Sequence, residues 1–138
     1  MITKKDIEGL AETRFADAAY LLKGARYSAA YYLAGYAVEL GIKACIADFF
    51  QAKVIPDKAF VTAAYSHKLD ELLGLAGIKQ DLQDEAKEDP KLSAAWGVAS
   101  KWSETSRYEI WDQFAAASMI NAVGDPHHGV LQWLRKRW

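Results

Sequence analysis

Residues 31–50, "YYLAGYAVELGIKACIADFF", constrain the fold more than any other stretch of this chain. A run so nearly continuous in apolar residues must be buried on most of its sides. Yet Glu39 and Lys43 stand in its middle, one helical turn apart. A membrane span is not expected, because Glu39, Lys43 and Asp48 interrupt the run. Each central charge costs about 2.5–3.5 kcal/mol on insertion scales. The segment instead predicts the central helix of a protein core. Ala30, Ala34, Ala37, Gly41 and Ala44 form a seam of small side chains, across which another helix approaches closely. Gly35, Val38, Ile42, Cys45 and Phe49 line a neighbouring core seam. Tyr32, Tyr36, Glu39 and Lys43 make the remaining stripe. An exposed Glu–Lys pair in this order contributes only about 0.2–0.5 kcal/mol, too little to justify burying either charge. The stripe is therefore expected to face a wet groove, a polar partner or a subunit interface.

The flanking sequence also reads as helix. Thr3 and Asp6 supply the cap and first turn of a helix whose apolar face is Ile7, Ala11, Phe15, Ala18, Leu22 and Ala25. Gly24 suggests a tight turn, so the first two helices should form an antiparallel hairpin. Residues 51–65 read as a connection with at most a short helical turn. In "SHKLDELLGLAG", Ser66 is a cap, Leu69, Leu72, Leu73 and Ala76 share a face, and Gly77 ends the helix. The polar "KQDLQDEAKED" reads as a solvated helix or mobile arm. Asp89 and Pro90 start a helix expected to run through Trp102. "SETSRYEIW" breaks the pattern before "DQFAAASMINAV". Asp125 and Pro126 then restart a last helix, with Arg135, Lys136 and Arg137 at its negative end. No stretch alternates in polarity long enough for a strand. The prediction is a single all-α domain over residues 1–138, an up-and-down bundle of four to five main helices with a short C-terminal helix.

Composition limits function. The net charge of -1 gives the whole chain no strong pull on nucleic acid or anionic membrane. The single cysteine excludes an intrachain disulfide and a cysteine-rich zinc site, which fits a reducing, cytoplasmic setting. The N-terminal "MITKKDIEGL" has no apolar signal core. Cys45 falls on the core seam, as a small hydrophobe rather than a nucleophile. Adjacent His127 and His128 would diverge on a helix and hold a metal only with outside help. His67 sits at a helix start, where it would cap or hydrogen-bond to the hairpin. No glycine-rich phosphate loop follows a strand, and no cofactor is implied.

Three segments together resemble the HEPN domain family. "ARYSAAYYLAGYAVELGIKACI" is similar to its second-helix signature, "SHKLDELLGLAG" to its HxLxxLL segment, and "RYEIW" with the alanine-rich helix after it to its C-terminal region. The resemblance implies a helical bundle that often forms homodimers. It also implies bacterial defence, toxin–antitoxin or nucleotidyltransferase-associated settings. Many catalytic members are metal-independent ribonucleases with an Arg-x4-6-His motif. Here Arg107 is followed by Asp112, Gln113 and Phe114 at the positions where histidine would stand. RNA cleavage needs a group that moves a proton near neutral pH, and a normal carboxylate does not. Three readings follow. The first is a noncatalytic, homodimeric interaction module with a protein partner. The second is an RNA- or nucleotide-binding module using Lys43, Arg107, Tyr108 and Arg14. The third is a divergent ribonuclease built on Glu39, Arg107 and Asp112. Glu39 is expected to pair with Lys43 or Arg107 and so anchor the "SETSRYEIW" segment.

Overall fold

A computed structural model describes residues 1–138. The chain folds into eight α-helices and one 3-10 helix, with no strand. They are α1 (Lys4–Lys23), α2 (Tyr27–Ala47), α3 (Lys58–Ala64), α4 (Leu69–Leu75), α5 (Lys79–Glu88), α6 (Pro90–Ala99), α7 (Gln113–Gly124) and α8 (Val130–Arg135). The 3-10 helix, Glu104–Tyr108, precedes α7. No helix is long and apolar enough to cross a membrane.

Local chemistry explains where α1 begins. The Thr3 hydroxyl accepts the Asp6 N–H, and the Asp6 carboxylate accepts the Thr3 N–H, closing a capping box. After Lys23 the chain reverses in three residues. The left-handed conformation falls on Ala25, with φ of 58°, rather than on Gly24, so Ala25 belongs to the turn and not to the apolar face. The start of α1 meets the end of α2 where the Lys4 ammonium donates to Asp48 at 2.7 Å, so the two helices are antiparallel.

Helix α2 is the centre of the core. Ala30, Ala34, Ala37, Gly41 and Ala44 are all buried, and α1, α4, α7 and α8 pack around the helix. Gly41 faces α8, where an added Cβ would lie 2.9 Å from Leu134 and 3.1 Å from Trp138. Along the second seam Val38, Ile42 and Cys45 are buried, but Phe49 lies past the helix end and is half exposed. Burial pushes the Cys45 thiol up to about 11, which leaves it protonated and inert at neutral pH.

Several boundaries differ from the periodicity. Residues 58–64 form a seven-residue helix capped by the Asp57 carboxylate, more than a single turn. The polar segment after Gly77 is the ordered helix α5, fixed by one fully buried residue, Leu82. Helix α6 begins as expected, with the Asp89 carboxylate accepting the N–H groups of Lys91 and Leu92, but ends at Ala99. Trp102 is buried beyond its end. The last helix starts at Val130 rather than beside Pro126. The Asp125 carboxylate accepts the N–H groups of His127 and His128 and closes a turn there instead.

These hydrogen bonds contribute to stability on the acid side. The His128 and His127 N–H groups hold the Asp125 carboxyl below its usual range, and the His128 side chain does the same for Asp89. A depressed folded-state value contributes stability above the ordinary aspartate range, which is lost as pH falls through the folded value. Denaturant titrations should therefore weaken below about pH 4. The Asp125→Asn variant should be less stable than the wild type at neutral pH, with a gap that closes on acidification. A constant gap would refute this role.

Candidate functional site

The polar stripe of α2 meets the segment from Ser103 to Trp111, and two tryptophans fix the junction. The Trp102 indole N–H donates to the Tyr32 carbonyl at 3.0 Å, with its ring against Gly35. Trp111 stacks on Tyr31 with ring centroids 3.8 Å apart, and its backbone N–H donates to the Ser28 hydroxyl. Its indole N–H returns to the Ser106 carbonyl. The segment thus has an aromatic anchor at each end.

Glu39 differs most from expectation. Its side chain is 1% exposed, so it is a buried carboxylate and not a groove-facing one. The partner that compensates burial is His67, whose Nδ1 lies 2.5 Å from Oε1. Lys43 is 3.7 Å from the same oxygen. On its other side, His67 Nε2 is 3.4 Å from Glu104 of the 3-10 helix. His67 therefore links α2 to the segment after α6, the task expected of Arg107. Its hydrogen bond to the hairpin matches one of its two expected roles. Beside it lies a cavity of about 600 Å³, whose wall includes Trp96, Trp102, Ser103 and Glu104.

Arg107 makes no ion pair with Glu39; its guanidinium lies over the Tyr108 ring, 4.9 Å from the centroid. The phenols of Tyr108 and Tyr32 raise it above the usual arginine range. Tyr32 in turn stacks on Tyr36, with centroids 6.1 Å apart. Burial raises the Tyr36 phenol, with Glu39 and Tyr32 adding to the effect, while Arg14 opposes it. Arg14 also pairs with Asp17 at 3.3 Å. The fold therefore gathers Arg107, Tyr108, Tyr32 and Tyr36, with Arg14 near enough to act on the Tyr36 phenol. Lys43 lies eleven residues past Tyr32 on α2, roughly 16 Å along the axis at 1.5 Å per residue. Asp112 caps α7 by accepting the Ala115 N–H at 2.8 Å, so its carboxylate is committed to the helix start.

His127 and His128 lie in the turn before α8, with ring centroids 6.4 Å apart. His128 Nδ1 is 2.8 Å from Asp89. Asp84, Glu85 and Glu88 border the same hollow, where the Trp133 indole N–H donates to Glu85. No group of three or more His, Cys, Asp or Glu side chains is arranged to hold a metal ion.

Comparison of the chain with protein-family models, with curated proteins and with solved structures finds no match in any of the three.

Proposed function

We propose that this chain is a HEPN-like up-and-down helical bundle acting as a noncatalytic, homodimeric interaction module. Its partner is a nucleotidyltransferase-type or other protein of a bacterial defence or toxin–antitoxin-type system. The observation that carries the reading is a row of exposed apolar side chains on an anchored segment. Tyr108 and Ile110 are 76% and 97% exposed on the segment pinned by Trp102 and Trp111, and Phe114, in the first turn of α7 that follows, is 81% exposed. Large apolar residues displayed together on an ordered surface characterise contact sites, and little ordering entropy remains for binding to overcome. Asp112 is held in a helix cap and Arg107 against tyrosines, so neither supports the divergent-ribonuclease alternative.

Sedimentation of the wild type at micromolar concentration should give a dimer. The Ile110→Asp/Phe114→Asp double variant should remain folded and sediment as a monomer. A wild-type monomer, or a variant that still dimerises, would overturn the homodimer. Incubation with total RNA should give no cleavage.

A second reading, RNA or nucleotide binding, is favoured by one specific feature. Arg107 lies beside the Tyr32–Tyr36 pair, and Arg14 acts on the Tyr36 phenol, combining cations with aromatic faces as single-strand binders do. Arg107→Ala should abolish retention of a labelled RNA oligonucleotide if this surface is used.

A further inference from the structure

Lys43 is held only loosely by the fold: its ion pair with Glu39, one of the two pairings expected from the sequence, spans 3.7 Å without a hydrogen bond. Glu39 has a close hydrogen-bond partner in His67, and that contact engages the oxygen nearest Lys43. The Lys43 ammonium lies 3.7 Å from this oxygen, beyond hydrogen-bond distance, and no other carboxylate is within 4.0 Å. Its side chain is only 20% exposed, so it is held in a partly desolvated place with three donors to satisfy.

Lys43 lines a cavity of about 470 Å³ between the start of α1, the end of α2 and α3. This cavity is distinct from the one beside His67. Nine of its eleven lining residues are hydrophobic, among them Ile7, Ile46, Phe50, Val61 and Tyr65. The other two are Lys4 and Lys43, and no carboxylate lines it. Lys4 is already committed, donating to both Asp48 oxygens at 2.7 and 2.8 Å. Helix α3 forms one wall without a single fully buried residue, held by Phe60 against Phe49 and Phe50. An apolar cavity of this size with one convergent polar group matches small-molecule sites, which span about 300–1,000 Å³.

We propose that this cavity binds a small amphipathic anion, with an apolar body between α2 and α3 and its carboxylate on the Lys43 ammonium. Apolar walls reward burial of an alkyl or aryl body, and the positive charge of Lys43 selects the sign of the head group. Charge complementarity separates this occupant from a neutral apolar peptide segment or a second copy of the chain, neither of which needs an anion at Lys43. The site is independent of the dimer surface at Tyr108, Ile110 and Phe114.

Calorimetric titration of the full-length protein with decanoate, decanol and decylamine tests the proposal. Decanoate should bind at least about tenfold more tightly than decanol, the size of one charge-assisted hydrogen bond, and decylamine most weakly. Lys43→Met should reduce decanoate to the affinity of decanol. Val61→Trp, which fills the cavity from α3, should remove binding of both, with circular dichroism confirming that each variant is folded. Equal binding of the three ligands, an unchanged affinity in Lys43→Met, or no decanoate binding would overturn it. So would loss of dimerisation in Val61→Trp, which would make a second copy the occupant.

Discussion

Gly35→Ala is expected to destabilise the protein by on the order of 3 kcal/mol, the upper end of the overpacking range. A Cβ at this position would lie 2.1 Å from Trp102 Cδ1 and 2.2 Å from Cγ, separations that no repacking of a neighbouring methyl relieves. The indole ring must leave. Its departure breaks the hydrogen bond to the Tyr32 carbonyl and empties a site where Trp102 is 4% exposed. The start of the 103–111 segment would lose its anchor with it. Thermal and denaturant unfolding measure the loss. A double-mutant cycle with Trp102→Ala identifies its origin, because the alanine at 35 should cost far less once the ring is gone. Equal costs in both backgrounds would place the damage elsewhere.

The identity of α2 as the buried centre was legible because nearly every residue from 30 to 46 is small or apolar, and no exposed helix tolerates that. Caps were legible at Thr3 and Asp89, where a side chain bonds within three residues, whereas Asp112, read as a candidate catalytic acid, proves to cap α7. Periodicity failed at helix ends. Trp102 continues the register of Leu92, Ala95 and Ala99, so its burial is readable, but the α-helical ladder ends at Ser100 and the Trp102 N–H donates to the Ala99 carbonyl in a tighter turn. Asp125–Pro126 has the composition of a helix start, and the same carboxylate serves equally well to close a turn. The seven-residue α3 is too short to show a periodic face. Among the site residues, Arg107 and Tyr108 are neighbours in sequence and remain together in space. The link through His67 was not readable in full. Its partner Glu39 is 28 residues away and Glu104 lies in an irregular segment, so no local spacing connects the three.

That link gives the second large expected effect. His67→Ala would leave the Glu39 carboxylate buried, with only Lys43, at 3.7 Å, to offset its charge. Leaving a buried polar acceptor without its hydrogen-bond partner costs about 1–3 kcal/mol, more when the acceptor is charged. His67 is 48% exposed, so solvent softens the loss, and on the order of 2–3 kcal/mol is expected. The cost resides in the stranded carboxylate rather than in the missing imidazole. Glu39→Met introduced into the His67→Ala background should therefore recover much of the stability, because an apolar side chain of similar volume suits a site enclosed on α2. Arg107→Ala, by contrast, should leave stability close to wild type, since the guanidinium rests on the exposed Tyr108 ring. Chemical denaturation of the four proteins distinguishes the outcomes. If Glu39→Met deepens the His67→Ala defect, the carboxylate is held by contacts other than His67, and the histidine does not couple α2 to the 103–111 segment. If Arg107→Ala is the more damaging change, the anchor lies with the guanidinium after all.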